Sequence, residues 1–215
     1  MNVDKRATDN KRWIPVHIHA QVESHVPRLE PGDWALEITG SISATENAED
    51  RVANDSDAEI GVIKAFLIQM REARHEGSDA SAVLNAKSFA TSEYSQLFKD
   101  AQWKKRVSKK FEPRSADLLI LDEIELKPEY RGYGLGLLAS RCLIEMFGSR
   151  CGLVACKPYP LQFEGSTTGL RKARKKLRRY WTRLGFRPVP RTTLYALDPE
   201  KSLPKLEQML RAKTK

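Results

Sequence analysis

The sequence predicts a mixed α/β fold, and three stretches carry the prediction. A strand-like run, Leu118 to Leu126, joins a helix-like run through the basic, glycine-rich turn Tyr130-Arg131-Gly132-Tyr133-Gly134-Leu135-Gly136. An alternating run, Trp13 to Val22, and a second strand-like run, Trp34 to Ile42, flank the turn signal Pro31-Gly32-Asp33 and read as an antiparallel pair with a long connection. Further on, Leu170, Ala173, Leu177, Tyr180, Trp181 and Leu184 step by three or four, the spacing of an amphipathic helix. With 215 residues, 40% hydrophobic and 30% charged, the chain is long enough to bury the core of one domain, and no internal repeat is visible.

Taken in order, the first strand alternates Val16, Ile18 and Ala20 against His17, His19 and Gln21. His17-x-His19 is half of a metal site at most, because no third ligand of matching type is near in sequence; no metal is expected. Ala44 to Glu59 holds six acids, one base and no large apolar residue, which reads as a mobile loop or as a rim that repels or selects a charged substrate. Ile60 to Met70 reads as a long strand, Ser78 to Asp100 as one broken or two short helices, and Lys104 to Arg114 as a basic linker. In the helix after the glycine turn, Leu135, Leu138, Ala139, Cys142, Leu143 and Met146 recur at helical spacing, with Gly148 as its C-cap. Leu153 to Cys156 makes a short strand ended by Pro158 and Pro160, Leu194 to Leu197 closes the core, and Ser202 to Ala212 is an amphipathic tail.

Chemistry concentrates at the glycine turn. At a helix N-terminus the first backbone N–H groups lack intrahelical partners and the dipole's positive end points outward, so an anionic phosphate is the expected guest. Glycines there let the backbone approach the ligand without an intervening Cβ. The spacing is neither that of a P-loop nor that of a dinucleotide fold.

The net charge of +9 is also localised: Arg171 to Arg191 holds ten bases and no acid, and the rest of the chain is close to neutral. A cationic helix face of this kind has three readings: a solvated surface, a clamp for the 3′-phosphorylated ADP of coenzyme A, or a docking surface for RNA or DNA. Cys142, Cys151 and Cys156 are odd in number and lack CxxC spacing, which predicts reduced core thiols. No basic-then-apolar leader opens the sequence and no apolar run reaches about 18 residues, so the expected location is cytoplasmic, with no membrane partner.

Arg131-x-x-Gly134-x-Gly136 after a strand, with Pro128 just before it, resembles the coenzyme A signature of the GNAT superfamily of N-acetyltransferases, Arg/Gln-x-x-Gly-x-Gly/Ala. Arg178 to Val189, containing Leu184-Gly185-Phe186, resembles the same family's later helix-to-strand element. The resemblance implies the GNAT acyl-CoA N-acyltransferase fold: a twisted, mostly antiparallel sheet flanked by helices, whose central pair splays apart to admit acetyl-CoA. It covers Leu118 to Val189, about one third of the chain. One domain, 1–215, is expected, with a variable front half (1–117) and an acetyl-CoA-binding core (118–197). The helical stretch between the Ile60 and Leu118 strands departs from the family's usual hairpin.

On this resemblance the activity is acetyl-CoA-dependent N-acetyl transfer to a primary amine by direct attack in a ternary complex. Acceptors in view are a small molecule, a protein amine or an aminoacyl-tRNA; an RNA contact through the basic helix 171–187 and a homodimer are open. The backbone of Ile124 and Leu126 would hold the pantetheine arm, and Arg131, Gly132, Tyr133, Gly134, Leu135 and Gly136 the pyrophosphate. Amine acetylation needs a base for the ammonium and an acid for the thiolate. Strand alternation puts Glu123 and Glu125 on one face and Asp122 on the other, which favours Glu123 as base. Many relatives carry a tyrosine where this chain has Trp181, so Tyr180, one residue earlier on the apolar stripe, is the candidate acid. The alternative class is a GNAT-like module that binds coenzyme A or nucleic acid without turnover.

Overall fold

In the computed structural model the described residues are 16–44, 58–160 and 166–206. They form a mixed α/β structure: an open seven-stranded sheet, ordered β1-β2-β3-β6-β7-β9-β8, with helices on both faces. The strands are β1 (Val16–Glu23), β2 (Ala35–Ala44), β3 (Ala58–Ile68), β6 (Leu118–Leu126), β7 (Leu153–Cys156), β8 (Arg187–Pro188) and β9 (Tyr195–Leu197). Every neighbouring pair is antiparallel except β6 with β7. The expected pair of front strands is present, Val16 standing opposite Ala44 and Glu23 opposite Glu37. Trp34 belongs instead to a three-ten turn, Pro31–Trp34, that leads into β2.

The centre of the sheet is buried on both faces. Leu118 to Leu121 alternate between two cores. Leu118 and Ile120 join Phe66, Ile68, Val83, Leu84, Tyr94, Val107 and Phe111 on one face; Leu119 and Leu121 join Ile63, Ala65, Leu135, Ala139, Leu143 and Phe186 on the other. Each fully buried Leu or Ile here contributes about 1.5 to 3 kcal/mol relative to exposure. The second face is covered by α5 (Leu135–Phe147), whose apolar stripe is the one read from the sequence. It ends at Gly148 as expected, although φ there is −81°, so a further three-ten turn, Gly148–Arg150, follows rather than a left-handed stop. The final long helix, α6 (Thr167–Thr182), is capped by Ser166, whose side chain accepts from the Gly169 N–H.

The first face is covered by the segment between β3 and β6, and here several expectations change. Met70 opens α1 (Met70–His75) instead of ending a strand. The stretch 78–100 supplies α2 (Ala80–Lys87), α3 (Phe89–Ser92) and a three-ten turn, Glu93–Leu97, then enters a hairpin of β4 (Phe98–Lys99) and β5 (Gln102–Trp103). The expected basic linker is a helix, α4 (Lys105–Phe111): Val107 and Phe111, one turn apart, are buried, and the lysines between them face outward. Residues 45–57, most of the expected acidic loop, and residues 207–212 of the expected tail lie outside the described residues.

Candidate functional site

The glycine turn sits at the N-terminus of α5. After a three-ten turn, Pro128–Tyr130, the Arg131 N–H donates to the Pro128 carbonyl, and Gly132 and Gly134 take left-handed φ values of 91° and 73°. Residues with a Cβ adopt that region reluctantly, so the two glycines permit the path of the loop. Gly134 is the N-cap, and no side chain caps the helix. Its carbonyl accepts from the Leu137 and Leu138 N–H groups, but among the described residues nothing accepts from the N–H of Gly132, Gly134, Leu135 or Gly136. A Cβ added at Gly132 would meet nothing within 4 Å. The turn thus presents oriented donors beside a positive dipole end, exposed at Gly132, half-buried at Gly134 and buried at Leu135 and Gly136.

The neighbouring strand supplies an open edge. β6 pairs with β7 only from Leu118 to Leu121, because β7 stops at Cys156; among the described residues no strand continues beside Asp122 to Leu126 on that side. The Lys127 N–H donates to the Ile60 carbonyl at 2.8 Å, so the backbone groups of Glu125 and Glu123 also aim at β3, while those of Ile124 and Leu126 aim into the opening. Of these two expected pantetheine-binding residues, Leu126 already has its carbonyl engaged by Arg131 Nε at 2.7 Å. A second Arg131 nitrogen lies 3.3 Å from Glu125 Oε1. Arg131 therefore turns back to tie the loop to the strand.

Tyr180 closes the constellation. A Cβ built on Gly136 would lie 2.6 Å from the Tyr180 hydroxyl and 3.6 Å from Leu126 Cδ1, so α6, the start of α5 and the end of β6 meet at this glycine. The phenol is held above its usual 10.0 by burial, only partly opposed by the Arg183 charge, and stays protonated at neutral pH. Trp181 has no such access. Its ring packs edge-on against Tyr180 at 5.6 Å and Phe186 at 5.3 Å, as part of the core.

The strand acids are arranged differently from the expectation. Lys64 stands opposite Glu123 but Ala65 stands opposite Leu121, so Asp122 is the extra residue of a β-bulge. Strict alternation from Leu121 would have kept Asp122 on the face away from α5 and placed Glu123 on the α5 face. The bulge brings Glu123 to the same face as Asp122, whose charge interacts there with Lys64, Glu123 and Glu37, and burial raises the Asp122 carboxyl above 3.8. Lys64 is itself ion-paired to Glu37 at 2.8 Å. Asp122 and Glu123 are thus side by side, and Tyr180 lies across the sheet from them with the β6–β7 opening between.

Sequence reasoning also passed over Tyr94, a fully buried phenol whose neighbours include Cys156 and Asp122 and which the Lys157 backbone hydrogen-bonds. It joins the front-half helices to the end of β7. Its only sequence signal was apolar spacing, which does not separate a core ring from one beside an opening.

The remaining candidates stand apart. His17 and His19 are exposed on β1, and among the described residues no group of three or more His, Cys, Asp or Glu could hold a metal ion. The three cysteines are free; Cys151 is pushed up to about 12 by burial, which leaves an unreactive thiol at neutral pH. Among the described residues no helix is long and apolar enough to cross a membrane. In comparisons with known proteins, no protein-family model, no curated protein and no solved structure matches the chain.

Proposed function

We propose that this protein has the GNAT fold and is an acetyl-CoA-dependent N-acetyltransferase acting on a primary amine. One observation carries the reading: unpartnered backbone donors at the start of α5 meet the Tyr180 hydroxyl at Gly136, beside a strand whose backbone edge is open. Donors at a helix N-terminus fit a pyrophosphate, and an open strand edge fits the amide-bearing pantetheine arm. When bound, acetyl-CoA supplies an acetyl group activated as a thioester.

The chain's own residues then have distinct tasks. The N–H groups of Gly132, Gly134, Leu135 and Gly136 bind the pyrophosphate, and Ile124 offers the backbone pair that Arg131 leaves unengaged. Asp122 or Glu123 accepts a proton from the acceptor ammonium, directly or through water, so that the neutral nitrogen can attack. A raised carboxyl pKa brings the base closer to the pKa of the amine, which favours Asp122. Tyr180 Oη, kept protonated by burial, would give its proton to the leaving sulfur as the C–S bond breaks, and the second proton lost by the nitrogen as the amide forms would restore the phenol through water.

The test is a melting measurement joined to a thiol-release screen. Acetyl-CoA at about 100 times its Kd should stabilise the fold by about 2.7 kcal/mol, a rise of about 5 to 10 °C for a chain of this size. 3′-Phosphorylated ADP without the pantetheine arm should give much less. No shift with acetyl-CoA refutes the reading. Binding without thiol release across small amines, peptides and aminoacyl-tRNA would leave a coenzyme-binding module without turnover.

A further inference from the structure

We infer that the cationic face running from α6 across β8 to α4 docks an RNA with unpaired bases. In α6 the side chains of Arg171, Lys172, Lys175, Lys176, Arg178 and Arg179 are exposed. None of them has an ion-pair partner among the described residues. On α5 a base has an acid one turn on, Arg141 with Glu145, a pair that stabilises the helix. α6 repeats like charges at that spacing instead, Arg171-Lys175-Arg179 and Lys172-Lys176, a repulsion that a polyanion relieves.

Tertiary structure extends this face. α4 lies some 60 residues earlier, yet Lys110 Nζ donates to the Pro188 carbonyl at 2.6 Å and the Arg187 guanidinium lies 5.2 Å from the Phe111 ring centre. The exposed Lys105 and Lys109 of α4 therefore continue the positive surface that Arg183 and Arg187 carry beyond α6. Beyond α4 lies a 510 Å³ cleft whose lining has four bases, Arg74, Lys99, Lys104 and Lys105, against two acids, Asp79 and Asp100. Two basic segments that are separate in sequence thus make one track. It spans more than the two or three charges that one coenzyme could use.

The class of polyanion follows from the side chains. Between Arg171 and Arg179 the exposed α6 positions are all Arg or Lys, so contacts there are to phosphates rather than to base edges. Beside them Tyr159 is 41% exposed, with the Arg174 guanidinium 4.5 Å from its ring centre. A guanidinium plane lying over a part-exposed ring is a stacking surface for unpaired bases, which folded RNA offers and duplex DNA does not. A membrane surface would need the large apolar residues of α6 exposed, but Tyr180 and Trp181 pack on the core.

The test uses the full chain, an RNA hairpin with an eight-base loop, and duplex DNA of equal phosphate number. Binding to RNA should weaken with salt at a log–log slope near −4, about −0.7 for each of the six exposed α6 cations. Reversing Arg171, Lys175 and Arg179 to Glu should lower RNA affinity by about 100-fold and the slope by about 2. Lys105→Glu with Lys109→Glu should lower it by about tenfold, and Tyr159→Ala should weaken RNA by about tenfold with duplex DNA unchanged. All substituted positions are exposed, and unchanged circular dichroism spectra serve as the folding control. The inference is overturned if no RNA binds at about 50 mM salt, if duplex DNA binds as tightly, or if anionic vesicles are bound in place of RNA. An α4 variant with wild-type affinity overturns the track.

Discussion

The contact at Gly136 can be tested without any ligand. The residue is in the first turn of α5 with an ordinary negative φ, so alanine fits the backbone and its helix propensity should gain about 0.5 to 1 kcal/mol. Against this, the new Cβ would lie 2.6 Å from the Tyr180 hydroxyl, an overlap that forces the phenol to move. Overpacking of this kind costs about 1 to 3 kcal/mol, so Gly136→Ala should be destabilising by up to about 2 kcal/mol net. Tyr180→Phe removes the offending oxygen and leaves the terminal ring carbon at 3.8 Å, an ordinary contact. In that background Gly136→Ala should stabilise. The four proteins form a double-mutant cycle, read by urea unfolding and checked by melting, where each kcal/mol corresponds to about 2 to 4 °C. A coupling energy of about 1 to 3 kcal/mol is expected. Additive effects, with coupling below about 0.3 kcal/mol, would show that Tyr180 does not reach the glycine turn and would remove the geometric basis for its role as proton donor.

Two further outcomes concern the strand acids. Because burial raises the Asp122 carboxyl above 3.8, the folded protein keeps that proton over a pH range in which the unfolded chain has lost it. Stability conferred by the neutral form is therefore present below 3.8 and is lost as pH rises through the folded value. Asp122→Asn should lack this loss: its stability relative to wild type, from denaturant curves at pH 3 to 7, should grow with pH, and a constant difference would contradict a buried carboxyl at the bulge. For turnover, Asp122→Asn should slow thiol release most at low pH, where the acceptor amine is protonated, and Tyr180→Phe should slow it across the range. A pH-independent loss in Asp122→Asn, with a pH-dependent one in Glu123→Gln, would move the base to Glu123.

Local patterns in the sequence determined much of the architecture, because period 2 and period 3.6 are properties of short segments. The antiparallel front strands, β6, the glycine turn and α5 follow from such patterns. So does β7, whose span Leu153 to Cys156 was legible from one apolar run and two prolines. The concentration of charge between Arg171 and Arg191 is likewise a fact of the sequence. Elsewhere local pattern failed for identifiable reasons. Lys104 to Arg114 looked like a linker because two apolar residues among many bases are a weak stripe, yet packing Val107 and Phe111 into the core makes α4 a helix. Alternation placed Asp122 opposite Glu123, but one extra residue in β6 reverses the parity, and a bulge leaves no mark in composition. Arg131 holds the motif position expected at a phosphate, and its contacts with the Leu126 carbonyl and Glu125, which exist only once the loop folds over the strand, have no local signal. Tyr180 against Gly136, and Lys110 against Pro188, join residues 44 and 78 positions apart. Such contacts depend on how whole elements pack, and no local period encodes them.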